Sequence, residues 1–199
     1  MTLQEFITKF NVKLNKQQLE AVQSVERPTL LLAVPGSGKT TVLVTRLGYM
    51  IYCMGIRPEE ILTVTYTVAA TNDMRKRFAA IFGVELAKRL EFRTINGICA
   101  KIIGYYGRCV GKKAFDLVTD ESYKTKLLSA IYTELIHQYP TESDLKNIST
   151  LITYIKNMQL SENEINKIEN EQDIPLLNIY NAYCEQMRKQ SLMDYDDQM

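Results

Sequence analysis

The 199-residue chain has no tryptophan, one histidine, four cysteines and five prolines, and each scarcity excludes something. Cys53, Cys99, Cys109 and Cys184 include no CxxC pair, and only His137 could join them, so neither a disulfide framework nor a zinc site is expected and the thiols read as free and buried. No apolar run approaches the ~20 residues that a membrane-spanning helix requires. The opening MTLQEFITKF carries Glu5 and lacks an apolar stretch followed by a small-residue cleavage site, so it does not read as a secretory signal and a cytoplasmic location is expected. Internal repeats and low-complexity tracts are missing too. What is there, 46% hydrophobic and 24% charged residues, is ordinary globular composition at a length that suits one or two domains.

A strong net charge is also lacking, but the overall +1 conceals three unlike segments. Residues 1–73 carry 7 basic and 6 acidic groups, residues 74–113 carry 10 against 2, and residues 114–199 carry 7 against 15. The basic middle holds Arg75, Arg77, Arg93 and Lys101 and suits a phosphate backbone, although a solvated helical face would carry the same charge.

The periodicity divides the chain in two. Asn15 is an N-cap for a helix with Leu19, Val22 and Val25 on one side. TLLLAV (29–34) then reads as a strand buried on both faces, followed by PGSGK, a helix closed by Gly55, and a second strand, ILTVTY (61–66). A third cycle adds a helix over 69–82 and a strand at 91–94, so right-handed crossovers predict an α/β fold with a parallel sheet and helices on both faces. Beyond Thr94 only helices are expected, near 96–106, 121–138, 143–158, 162–169 and 174–190, with no strand among them.

The run from Ala33 through Val34, Pro35, Gly36, Ser37, Gly38, Lys39 and Thr40 to Thr41 lies between a predicted strand and a predicted helix, the context that a phosphate-binding loop needs. Gly36 and Gly38 allow backbone N–H groups to turn inward around a phosphate, and the helix N-terminus adds its positive dipole end. Lys39 would neutralise the β and γ oxygens while the Thr40 hydroxyl ligates Mg²⁺. The pattern G-x-x-x-x-G-K-[ST] is met except at its first position, Ala33. Hydrolysis also needs a carboxylate pair at the end of a buried strand. The one Asp-Glu pair, Asp120-Glu121, reads as the first turn of a helix, and the chain ending in DYDDQM looks like a piece of something longer.

Several segments in fixed order resemble superfamily 1 DNA helicases of the UvrD/Rep/PcrA type. LNKQQLEAV (14–22) is similar to the family's Q motif, whose glutamine reads the adenine edge and falls on Gln18. AVPGSGKT matches its Walker A, where an initial alanine is usual. ILTVTYTVAATNDMRKRF (61–78) resembles the segment that grips single-stranded DNA, with Thr65, Tyr66 and Thr67 in its TFT positions and Asp73-Met74 as its acidic-Met pair. FRTINGICAKII (92–103) resembles the TFHS segment that opens an inserted helical subdomain, and LMDYDDQM (192–199) resembles the stretch that precedes the Walker B strand. Val68-Ala69 and Asn96-Gly97 depart from the family's Asn-Lys and His-Ser, removing polar and basic DNA contacts.

The resemblance implies a RecA-like P-loop NTPase core in motor domain 1A over 1–93, then helical subdomain 1B over 94–199, cut before Walker B. It implies ATP and Mg²⁺ as cofactors and Lys39 and Thr40 as catalytic residues. Single-stranded DNA and single-strand/duplex junctions are the implied partners, through Thr65, Tyr66, Thr67, Arg93, Thr94, Ile95 and Asn96, with the rest of the helicase acting in cis. The full protein would be an ATP-dependent helicase of DNA repair or replication, and this fragment alone would be inactive. A P-loop regulatory or scaffolding module without helicase activity is the alternative. Tyr66 suits base stacking or core packing, Tyr105 and Tyr106 suit packing or surface positions, and His137 suits a helix C-cap.

Overall fold

Helical structure begins at the first residues of the computed structural model, which describes residues 1–199. The Thr2 hydroxyl accepts from the Glu5 N–H while the Glu5 carboxylate accepts from the Thr2 N–H at 2.8 Å, a reciprocal cap that starts α1 (Leu3–Lys9). Only Phe6 of its seven residues is buried, so α1 leaves almost no periodicity in the sequence. Asn15 caps α2 (Lys16–Gln23) in the same reciprocal way with Gln18. Next come α3 (Lys39–Tyr52), a single 3₁₀ turn at Pro58–Glu60, β1 (Leu62–Thr65), α4 (Val68–Phe82), α5 (Val84–Arg89), β2 (Glu91–Thr94) and α6 (Ile95–Cys109).

β1 and β2 run parallel in the register Leu62↔Glu91 to Thr65↔Thr94. This is a two-stranded sheet, smaller than the one expected. TLLLAV (29–34) is the correction: it forms no ladder, and Leu30 and Leu32 are each 82% exposed. An apolar run becomes a strand only when a neighbour accepts its backbone hydrogen bonds, and neither β1 nor β2 pairs with it.

The chain divides into two compact units, Met1–Ile98 and Cys99–Met199. The first is organised around Phe6, Val44, Leu47, Ile61, Met74, Phe78, Phe82, Ala87, Leu90 and Phe92. Gly48 of α3 lets the Phe82 ring of α4 approach the helix backbone, because a Cβ there would overlap the ring.

The second unit contains β3 (Asp116–Leu117), α7 (Glu121–Ile136), α8 (Glu142–Met158), α9 (Glu162–Gln172), α10 (Leu176–Lys189) and β4 (Leu192–Met193). The all-helical expectation is corrected here too: β3 and β4 pair parallel, with the Asp116 and Val118 N–H groups donating to the Ser191 and Met193 carbonyls at 2.9 Å. Strands of two residues carry no legible alternation. Leu128, Ile131, Ile148, Ile152, Ile179, Tyr183 and Met187 form the core, with Ile155, Ile165 and Leu176 as a satellite. Asp120 is the N-cap of α7, its carboxylate accepting from the Ser122 N–H at 2.9 Å, and His137 ends that helix at φ 60°. The expected burial of the thiols is not met: Cys109, at the end of α6, is exposed and the other three are half-buried. No helix is long and apolar enough to cross a membrane.

Candidate phosphate-loop and nucleic-acid site

Apart from Lys101, the residues singled out for nucleotide or DNA lie in the first unit. Gly36 and Gly38 both adopt left-handed backbone, at φ 80° and 84°, which a side chain would strain. Between them, Ser37 turns back on the loop: its N–H and hydroxyl both donate to the Val34 carbonyl, at 3.2 and 2.7 Å. Lys39 opens α3 and donates from Nζ to the Ala33 and Val34 carbonyls at 2.8 and 2.9 Å. The ammonium is thus folded over the loop it belongs to, bonded to neutral carbonyls that an anion's oxygens can replace. Gly38 supplies no side-chain cap to α3, so the first N–H groups of that helix have no side-chain acceptor at the cap. Thr40 and Thr41 follow in the first turn of α3.

Gln18 touches this loop. Its Nε2 donates to the Ser37 carbonyl at 3.0 Å, while its Oε1 completes the cap of α2 by accepting from the Asn15 N–H at 2.9 Å. The Arg46 guanidinium ties α3 to the end of α2 through the Ala21 and Ser24 carbonyls.

The second group of residues sits at the ends of the paired strands. Thr65 and Thr94 are register partners, so Tyr66-Thr67 and Ile95-Asn96 leave the same edge of the sheet. Thr67 caps α4 by accepting from the Ala70 N–H at 3.1 Å, and Thr94 accepts from the Gly97 N–H at 3.0 Å in the first turn of α6. Two helix N-termini therefore point their positive dipole ends toward one edge. The Thr65 hydroxyl is bonded within the protein, to the Thr71 hydroxyl at 2.6 Å. Its role is to hold the turn that projects Tyr66, whose side chain is 90% exposed. Thr71, absent from the sequence reading, completes that turn by donating to the Thr67 carbonyl. Its signal was present as a threonine one helical turn after the cap.

The basic residues are mostly engaged inside the unit. Arg75 donates to the Phe92 carbonyl at 3.2 Å and lies over the Phe92 ring, Arg77 pairs with Asp73, and Arg93 pairs with Glu91. Of the acids, Asp120 is spent as a helix cap, and no group of three His, Cys, Asp or Glu side chains is placed to hold a metal ion.

A glycine-lysine-threonine turn at the head of a helix, in a unit whose two parallel strands each feed a helix, defines a phosphate-loop protein. Residues 14–199 match the family described as the UvrD/REP helicase N-terminal domain, and the chain belongs to that family. A putative ATP-dependent DNA helicase, YjcD of Bacillus subtilis, is 33% identical over 190 residues, covering 94% of this chain and 24% of the relative. The ATP-dependent DNA helicase PcrA of Leuconostoc citreum is 29% identical over 188 residues, with 92% and 25% covered. Rep of Buchnera aphidicola is 25% identical over 184 residues, with 92% and 27% covered. The chain thus spans about a quarter of the length of these relatives.

Proposed function

We propose that this chain is the N-terminal ATP-binding part of an ATP-dependent DNA helicase or translocase, one that couples ATP hydrolysis to movement along single-stranded DNA and to duplex unwinding in repair or replication in the cytoplasm. The observation that carries the reading is the phosphate loop, with its two left-handed glycines and a lysine held by exchangeable carbonyls at the head of α3. In this reading residues 1–93 belong to a RecA-like motor domain 1A and residues 94–199 form subdomain 1B. Ala33 to Thr41 cradle the triphosphate, Lys39 binds the β and γ oxygens, and the Thr40 hydroxyl ligates Mg²⁺. Bound Mg²⁺ supplies charge neutralisation at the phosphates. The Walker B carboxylates and the second motor domain come from the rest of the helicase in cis.

Calorimetric titration with Mg-ATP is expected to detect weak binding that Lys39→Ala abolishes. ATP turnover by the 199-residue chain is expected at background, with or without single-stranded DNA. Equal binding by Lys39→Ala would refute the phosphate-loop assignment, and robust turnover would refute the fragment reading.

Single-stranded DNA, including the strand leaving a duplex junction, crosses the edge formed by Thr65 to Thr67 and Arg93 to Asn96 in this reading. Its support is the adjacency of two helix N-termini with an exposed Tyr66 between strand and helix. Base stacking on an aromatic side chain contributes about 1–3 kcal/mol per base. Tyr66→Ala is therefore expected to weaken binding of a fluorescent oligothymidine by about five- to 150-fold. Parent affinity should fall as salt rises. Unchanged affinity in Tyr66→Ala would confine the function to nucleotide binding.

A further inference from the structure

Gln18 bridges two pieces of backbone nineteen residues apart. A primary amide has two N–H donors and an oxygen with two lone pairs. One donor goes to the Ser37 carbonyl at 3.0 Å, and the oxygen accepts from the Asn15 N–H at 2.9 Å. The position of the amide is therefore set jointly by the start of α2 and by the phosphate loop. The approach is close, since a Cβ on Gly38 would lie 3.3 Å from Gln18 Nε2.

What Gln18 holds is the carbonyl of the peptide between Ser37 and Gly38. That peptide leads into Gly38, which is left-handed at φ 84°, and glycine crosses readily between left- and right-handed backbone. Such a peptide is prone to flip. Because a trans peptide is planar, its N–H points opposite to its C=O. Fixing the Ser37 carbonyl toward α2 therefore fixes the Gly38 N–H away from it, as a preset donor in the loop.

We propose that Gln18 is a positioning residue of the phosphate loop: it pins the Ser37–Gly38 peptide so that the Gly38 N–H is held ready for a phosphate oxygen. The proposal rests on the phosphate-loop reading above and differs from adenine recognition in a measurable way. A brace on the loop acts on any polyphosphate, with or without a base, whereas a base contact acts only on a nucleotide.

The test titrates the 199-residue chain with Mg-ATP and, separately, with magnesium tripolyphosphate, which has no base. Gln18→Met keeps the side-chain length and removes the donor. Asn15→Ala removes only the acceptor of the helix cap. One neutral hydrogen bond contributes about 0.5–1.5 kcal/mol, so Gln18→Met is expected to weaken both ligands by the same factor, about two- to twelvefold. Asn15→Ala should leave both within about twofold, at the low end of cap losses. In the ligand-free chain the Gly36 and Gly38 amide resonances should broaden in Gln18→Met and stay sharp in Asn15→Ala, because only the former frees the peptide to exchange. Loss of ATP affinity with tripolyphosphate unaffected would make Gln18 a base reader and overturn the proposal, as would no change for either ligand. If the parent fails to bind tripolyphosphate, or Lys39→Ala binds it equally well, the phosphate-loop reading itself fails and takes the proposal with it.

Discussion

Lys156→Met is expected to destabilise the second unit by about 3 kcal/mol, the low end of the cost of stranding a buried carboxylate by removing its cation. Lys156 reaches from α8 to the C-terminal turn, its Nζ 2.7 Å from Asp194 Oδ2 and 2.7 Å from Asp197 Oδ1, and its side chain is 7% exposed. Asp194 is 8% exposed and also accepts from the Tyr183 hydroxyl of α10 at 3.0 Å. The two aspartates brace each other's backbone, Asp194 N–H to Asp197 Oδ2 at 3.0 Å and Asp197 N–H to Asp194 Oδ1 at 2.9 Å. Asp196 is held separately by Thr153 and Asn157 of α8. With Met at position 156, the buried Asp194 would have no cation to offset its desolvation, whereas Asp197, 34% exposed, would keep its contact with water.

The pH dependence follows from the direction of the shifts. Burial disfavours the charged form of Asp194, but its hydrogen bond and charge interaction with Lys156 outweigh that and hold the carboxyl below its ordinary range. Its contribution is therefore present above the unfolded aspartate value of about 3.9 and fades as pH falls through the lower folded value. Burial likewise disfavours the Lys156 ammonium, and Asp194 and Asp197 together override it, leaving its pKa above the ordinary range. That contribution is complete below about 10.4 and is lost as pH rises through the higher folded value. Urea denaturation at pH 7.5 should show the full loss in Lys156→Met. The loss should shrink as pH falls toward 5, where a buried Asp194 without its cation can take up a proton. Adding Asp194→Asn should recover part of it, since a neutral amide needs no counter-charge. A loss under 1 kcal/mol at pH 7.5 would mean that water screens the pair.

Phe6→Ala should cost the first unit a comparable amount, about 3–5 kcal/mol. Phe6 is completely buried, with ring centroids 5.2 Å from Phe10, 5.9 Å from Phe82, 6.3 Å from Tyr49 and 6.4 Å from Tyr52. Phe82 in turn sits 4.8 Å from Phe78, so the loss would open a cavity inside a continuous aromatic cluster. A short helix of seven residues has little stability of its own, so α1 should detach when its anchor goes. Amide exchange at Phe6 to Phe10 should then approach that of an unfolded chain, while α3 and α4 exchange faster but remain measurable. Retention of α1 protection in Phe6→Ala would show that the Thr2–Glu5 cap and its other contacts suffice. Phe6 precedes the span matched by the family, residues 14–199, so this anchor lies outside the region by which the chain is recognised.

Local rules carried far along this chain. The Asn15 cap, the glycine-rich turn ahead of Lys39, the strand at 91–94 and the starts of α7, α8 and α9 stand where N-cap chemistry, turn residues and apolar spacing put them. Each depends on residues within a turn or two of one another, so the information lies in consecutive letters. The capping box of α1 was equally legible, yet a helix with one buried side chain gives periodicity nothing to detect.

The chemistry-bearing residue types were determined by the sequence alone: a phosphate loop with Lys39 and Thr40, a glutamine ahead of it, and threonines flanking an aromatic at a strand end. Which groups each of them bonds was decided only by the tertiary structure. It gives the Thr65 hydroxyl to Thr71, Arg93 to Glu91, and the Gln18 amide to the Ser37 carbonyl. It leaves Thr29 to Val34 without a ladder, and it brings Lys156 onto Asp194 across 38 residues. The reason is the same in each case. Strand pairing, burial of a charge and the choice of a hydrogen-bond partner depend on what arrives from distant parts of the chain, and residue spacing does not encode that arrival.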